Sequence, residues 1–168
     1  MQHATQRHVK EGEVLLHEEH YAKELFFICS GVLKIVTTSD KGVDVVHFFL
    51  KQGQFCTILN SFNNNLPSHE NILAACDATV VVFTKEALQN IYHRMPHFET
   101  VVEATLQKTL FDKIALKNSF GGKDATERYK TFLQLQGDIA TQVSLSDAAS
   151  YLGITLQSLS RIRRNVRL

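Results

Sequence analysis

The chain lacks most of what would mark a membrane, secreted or catalytic protein. No apolar run approaches membrane-spanning length, and the longest block of branched and aromatic residues is Val80-Val81-Val82-Phe83. The opening MQHATQRHVK is polar and offers no signal-peptide core, so a cytoplasmic location is the expectation. Cysteine is scarce: Cys29, Cys56 and Cys76 are odd in number, widely spaced and set in apolar, strand-like surroundings. That pattern suits buried free thiols, because a zinc site or cluster wants closer pairs and usually a fourth ligand. No Ser/His/Asp or Cys/His pairing has a local motif and no glycine loop could cradle a phosphate, which leaves enzymatic activity without support. Internal repeats and low-complexity tracts are missing too. With two prolines, 44% hydrophobic and 21% charged residues among 168, the composition is that of a folded chain with one good core or two small ones.

Histidine offers three tempting groupings. His17-Glu18-Glu19-His20 has its histidines three apart at a strand-to-turn junction, where a solvated turn is expected rather than a metal site. His93 and His97 have helical spacing, but Pro96 lies between them. His47, alone on an apolar strand face, reads as a satisfied core or pocket histidine.

Period-two patterning dominates residues 10–84. Segments 13–17, 25–29, 32–37, 43–50, 71–76 and 79–84 are short, rich in Val, Ile and Phe, and separated by Gly12, Gly31, Asp40-Lys41-Gly42 and Gly53. The clearest alternation puts Val45, His47 and Phe49 on one face and Val46, Phe48 and Leu50 on the other. Both faces are largely apolar, which predicts a closed or sandwiched sheet, a barrel or jelly roll.

After Thr84 the period becomes helical. Residues 85–94 predict a short amphipathic helix, and a long one follows from about Pro96 to Ser119, with proline acceptable at its start. Val102, Leu106, Leu110 and Ile114 recur every fourth residue, while Val101, Ala104, Phe111 and Ala115 make a second flank. Two flanks imply two partners: the β-domain, and the same helix of a second subunit in a homodimer. The alternative is one helix buried within a monomer. Gly121-Gly122 ends this helix and marks a boundary or hinge, and 123–136 predicts another helix with Tyr129, Phe132 and Leu133 on its apolar side.

The last segment, VSLSDAASYLGITLQSLSRIRR, predicts helices over 145–152 and 156–164 joined by a turn at Gly153. Ala148 and Ala149 allow close approach, and Ile154 and Leu159 plug the angle between the helices. Ser144 and Thr155 stand at N-cap positions, and Asp147 completes an approximate capping box with Ser144. The pattern reads as a helix-turn-helix whose second helix exposes Gln157, Ser158, Ser160 and Arg161. Such a helix can enter the DNA major groove, where arginine pairs with guanine and glutamine with adenine. From Ser144 onward Arg161, Arg163, Arg164 and Arg167 face only Asp147, a balance of +3 in a chain whose net charge is +1. Positive charge is thus concentrated where phosphate would be met. The competing reading is an ordinary helical hairpin with a solvated polar face.

The order of these parts resembles the Crp/Fnr family of transcription regulators. The landmarks are KEGEVLLHEE, LFFICSGVLKIV, LKQGQF, TKEALQNIY, the long helix and LQSLSRIRR, and they span nearly the whole chain. The resemblance implies an α+β chain with three parts: a cyclic-nucleotide-binding-like β-roll (jelly roll) over 1–95, a long dimerisation helix over 96–120, and a small helix-turn-helix domain over 121–168. It implies double-stranded DNA, a second copy of the chain, RNA polymerase and a small-molecule effector as partners, with no membrane. The implied DNA-binding residues are Thr155, Gln157, Ser158, Ser160, Arg161, Arg163 and Arg164, and the implied dimer helix uses Val101, Val102, Leu106, Leu110, Phe111 and Ile114.

Three departures qualify it. Matched to the family's nucleotide cassette, Ile58 stands for the ribose-binding glutamate, Ser68 for the phosphate-binding arginine and Thr57 for a glycine, so high-affinity cAMP or cGMP binding is not expected. The corresponding effector pocket would comprise Phe55, Cys56, Thr57, Ile58, Ser68 and His69, its ligand unknown or absent. No N-terminal cysteine cluster is present to hold iron and sulfur. The chain also starts almost at the first strand and stops soon after the recognition helix, so a leading helix and a full wing are not expected. The reading is a regulator that binds DNA as a homodimer. The alternatives are a sensor whose C-terminal part contacts protein, and a constitutive DNA binder with the β-roll as scaffold.

Overall fold

The computed structural model describes residues 4–39 and 42–166. Among them are strands β1 (Thr5–Val9), β2 (Val14–Leu16), β3 (Glu24–Ser30), β4 (Val32–Thr38), β5 (Asp44–Lys51), β6 (Phe55–Cys56), β7 (Asn71–Ala74) and β8 (Ala78–Thr84). They pair antiparallel in two four-stranded sheets, ordered β1-β8-β3-β6 and β2-β7-β4-β5. Helices α1 (Leu59–Asn64), α2 (Lys85–Arg94), α3 (Pro96–Ser119), α4 (Ala125–Ala140), α5 (Leu145–Tyr151) and α6 (Leu156–Asn165) complete the chain. The expected mixture of an antiparallel roll followed by helices is therefore observed. β1, β6 and α1 are additions: the first is polar and the other two are shorter than a periodicity can register.

Apolar residues on both faces of the strands find partners on both sides. Between the sheets lie Phe26, Ile28, Leu33, Ile35, Leu50 and Ile72. On the outer face of the first sheet, Leu25, Phe55 and Phe83 pack against Leu88 and Ile91 of α2 and Val102 of α3. Outside the second, Val32, Val36, Val46 and Phe49 meet Tyr129, Phe132, Leu152 and Leu159 of the C-terminal helices. Burial of each large side chain contributes about 1.5–3 kcal/mol, so both outer layers matter to the fold.

A bulge corrects the alternation expected of β5. The register with β4 slips between the pairs Ile35–Phe48 and Val36–Val46, leaving His47 unpaired. Val46 and Phe49, which strict alternation would separate, consequently share the outer cluster. His47 is exposed, its Nε2 2.8 Å from Thr37 Oγ1, and is not a core histidine. Gly31 makes the β3–β4 turn at φ +81°, where an added Cβ would lie 2.5 Å from the Asp77 carbonyl oxygen.

Pro96 occupies the first turn of α3, after Met95 breaks from α2 with φ −137° and ψ 77°. Asp124 caps α4 in a full capping box with Glu127, each side chain bonding the other's backbone N–H. The apolar pattern predicts that this helix stops at Gln136; instead it kinks there, at φ −136° and ψ 38°, and continues to Ala140. Of the cysteines, all free, only Cys56 is buried; Cys29 and Cys76 are half-buried, against expectation.

Candidate functional site

α5 and α6 form a two-helix unit whose local chemistry follows the sequence. Ser144 Oγ accepts from the Asp147 N–H at 3.1 Å, and Thr155 Oγ1 accepts from the Ser158 N–H at 3.1 Å. Gly153 turns the chain at φ +64°. Leu159 is fully buried and Ile154 half-buried in the same cluster. With that side of α6 turned inward, Gln157, Arg161 and Arg164 share the outward face at helical spacing, and Ser160 lies half-buried beside them. Ser160, Arg163 and Arg164 line a shallow concavity against Leu145 of α5. Ser158 is exposed on the other flank. Arg167 lies outside the described residues.

The unit is docked on the second sheet through contacts that sequence reasoning missed. Lys34 Nζ on β4 pairs with Asp147 Oδ1 at 2.6 Å, their side chains only 12% and 14% exposed. The Asp147 carboxylate is therefore spent on a strand and not on the expected capping box. Ser150 Oγ accepts from the Val46 N–H at 3.0 Å and donates to the Asp44 carbonyl at 3.1 Å, satisfying backbone groups of edge strand β5. Lys51 Nζ reaches Asp138 Oδ2 at 2.5 Å, and the Phe49 and Tyr151 rings meet at 4.9 Å between centroids. A single cation, Lys34, among Val32, Leu33, Ile35 and Val36 was the available signal.

Among the described residues, one helix face leaves several large apolar side chains uncovered. On α3, Val102 is buried and Leu106 half-buried against α2 and the first sheet, so neither belongs to the open side. The reason is geometric: a four-residue step advances about 40° beyond one turn, so a row at that spacing spirals around the helix. Thr109 and Lys113 continue the roll-facing side. Val101 (56%), Leu110 (47%), Phe111 (61%) and Ile114 (49%) are the exposed large apolar residues of the helix, with Ala104 and Ala115 exposed among them. α4 exposes Leu135 in the same way.

The residues matched to the nucleotide cassette are spread among different surroundings. Phe55 packs in the outer cluster beneath α2, and Cys56 in the core between the sheets, where burial pushes its thiol up to about 12. Thr57 Oγ1 donates to the Glu24 carbonyl at 3.0 Å and lines a groove with Phe62 and Tyr92. Ile58 is a buried core residue at the start of α1. The Ser68 hydroxyl is committed to the backbone of Glu70, donating to its oxygen at 2.6 Å and accepting from its N–H at 3.1 Å. His69 is exposed. At the junction of the roll and the helices, Lys113 places its ammonium 4.6 Å over the Phe48 ring, and burial lowers its pKa. His17 and His20 stack at 5.6 Å beside Glu19, whose φ is +64°.

No curated protein sequence matches the chain. Among solved structures the fold is similar to FixK2 from Bradyrhizobium japonicum, at TM-score 0.79 and 20% identity over 96% of this chain and 83% of that one. It is similar to the c-di-GMP responsive global regulator CLP of Xanthomonas campestris, at TM-score 0.73 and 16% identity over 97% and 86%. A putative Crp/Fnr-family transcriptional regulator from Eubacterium rectale gives TM-score 0.71 and 19% identity over 96% and 77%. At these identities the likeness is one of fold. Residues 6–95, which hold the two sheets, α1 and α2, match the cyclic nucleotide-binding domain, and the chain belongs to that family.

Proposed function

We propose that the chain is a transcription regulator that binds specific DNA sites as a homodimer, with α5 and α6 as a helix-turn-helix and α6 as the recognition helix. The observation that carries this reading is the outward face of α6, where Gln157, Arg161 and Arg164 project together while Leu159 anchors the opposite side. Arg161 and Gln157 are one turn apart, a spacing at which two adjacent base edges can be read. Thr155, Ser158 and Arg163 flank that face and suit phosphate contacts, which position a helix without reading sequence. The open apolar side of α3, centred on Phe111 and Ile114, supplies the dimer contact that a two-fold site requires. Residues 1–95 then act as the input part, 96–120 as the dimer helix and 121–168 as the output part.

The input is not a cyclic nucleotide in this reading. Ile58 accepts no ribose hydrogen bond, and the Ser68 hydroxyl is already occupied by backbone. A cyclic phosphate would enter without the charged partner that offsets its desolvation. Fluorescence anisotropy of labelled duplex DNA at several salt concentrations tests the output half. A regulator of this kind binds with affinity that falls steeply with salt and that distinguishes sequences at fixed salt. Equal, weak binding to every duplex, or none, would overturn it.

A further inference from the structure

A cavity of about 310 Å³ lies outside the β-roll, where β5, α3, α4 and α5 converge. The apolar part of its wall is Phe48 and Phe49 from β5, Leu116 from α3, Leu135 and Ile139 from α4, and the Tyr151 ring from α5. Lys51, Gln54, Thr109 and Asp112 also line it but are engaged: Lys51 with Asp138, Gln54 Oε1 with the Lys51 N–H, Thr109 with the Thr105 carbonyl and the Asp112 carboxylate with Lys108. Three polar groups keep hydrogen-bonding capacity. Lys113 has a cation–π contact with Phe48 and no ion-pair partner among the described residues. Gln136, at the kink of α4, buries Oε1 with no donor to satisfy it. Tyr151 carries a hydroxyl among these walls, and burial raises its pKa, so it stays neutral and able to donate.

An apolar cavity with a few convergent polar groups, one of them a half-buried cation, is the usual form of a small-molecule site. The kink at Gln136 gives a second, independent pointer. A continuous helix would be the ordinary state, and an orphaned buried amide oxygen is unfavourable unless something donates to it.

We propose that this cavity is an effector site for a small aromatic carboxylic acid carrying a hydroxyl group. The ring stacks among Phe48, Phe49 and Tyr151, the carboxylate pairs with the Lys113 ammonium, and the hydroxyl donates to Gln136 Oε1. Three aromatic walls favour a flat ring over an aliphatic chain, since offset and edge contacts add to simple burial. The cation selects an acid over an alcohol of the same shape. An occupant would touch the roll, the long helix and both helices leading into α6, so it would fasten the docked arrangement that Lys34–Asp147 and Ser150 already hold. The site rests on the effector half of the proposed function and is independent of DNA binding.

The test is calorimetric titration of the full chain with para-hydroxybenzoate, benzoate and para-hydroxybenzyl alcohol, backed by amide chemical shifts. The expected result is saturable binding of one para-hydroxybenzoate per chain, about tenfold tighter than the alcohol and several-fold tighter than benzoate. Shifts should concentrate in residues 48–54, 112–116 and 135–139. Lys113→Met should abolish the preference for acid over alcohol, Lys113→Arg should retain it, and Gln136→Leu should make para-hydroxybenzoate and benzoate equal. Because these are ratios measured within one variant, they stand for any variant that still folds, and Lys113→Arg keeps the charge if Lys113→Met does not fold. No binding of para-hydroxybenzoate, shifts confined to the roll interior or the groove beside Thr57, or unchanged ratios in the variants would overturn the proposal. No DNA is present in the titration, so its failure leaves the DNA-binding reading untouched, and failure of DNA binding leaves this site untouched.

Discussion

Individual side chains divide sharply between those that hold the two-helix unit and those left free to act. Arg161 and Arg164 are both exposed on the outward face of α6, but Arg161 follows Gln157 by one turn while Arg164 lies a turn further toward the helix end, where a phosphate contact is expected. Arg161→Ala should therefore cost about 1–3 kcal/mol on a preferred site and relax the choice of base at one position. Arg164→Ala should weaken all duplexes alike and reduce the salt dependence by about one counterion, as a phosphate contact does. Anisotropy titrations on a panel of duplexes separate the two, and equal losses on every sequence from Arg161→Ala would remove it from base reading. Cys56 is a different case. Its thiol, pushed up to about 12 by complete burial, should resist a thiol-specific disulfide reagent at neutral pH, while denaturant should release it. Rapid reaction of all three cysteines in the native protein would contradict the packing between the sheets.

Elements show how far local pattern carries and where tertiary contact takes over. α2, α3, α5 and α6 were legible because capping residues, Pro96 and Gly153 punctuate long periodic runs. The β5 bulge was not, because it depends on partners far along the chain: the Val46 N–H bonds Ser150 Oγ, and the Phe49 ring meets those of Phe132 and Tyr151. Nor could spacing say that Asp147 would leave its capping box for Lys34. That pair joins a strand to a helix in a nearly dry setting, so Lys34→Ala should destabilise the chain by about 3 kcal/mol by stranding a buried carboxylate. Replacing both residues, as Lys34→Met with Asp147→Leu, should cost much less than the two single changes summed. Thermal unfolding of the four proteins measures the difference; strict additivity would mean the pair contributes nothing. On α3, Phe111→Glu should convert dimers to monomers in light scattering while Glu103→Gln, also at an exposed position, should not. A wild-type monomer at micromolar concentration would exclude the α3 dimer outright.

At the scale of the whole molecule, the second sheet serves two parts at once. Its inner face closes the roll, and its outer face carries α4, α5 and, through Leu159, α6. Division into a β-roll and a helical C-terminal part was legible from the change of period at Thr84. Their contact was not, because Phe49, Tyr151 and Ser150 look like unremarkable core or surface residues until β5 and α5 lie side by side. The same limit applied to the cavity beside Gln136, whose lining comes from four elements no local motif connects. β4 and β5 are tied to α5 by Lys34–Asp147 and Ser150, which under the proposed function would be a direct mechanical route from the roll to α6. That route matters only if α6 reads DNA. Selection of duplexes from a random-sequence pool by the full chain tests this most directly. The account predicts convergence on a two-fold symmetric site with half-sites about 10 base pairs apart, bound by two chains about a thousandfold more tightly than the starting pool. A pool that fails to converge, with binding no stronger than at the outset, would contradict it.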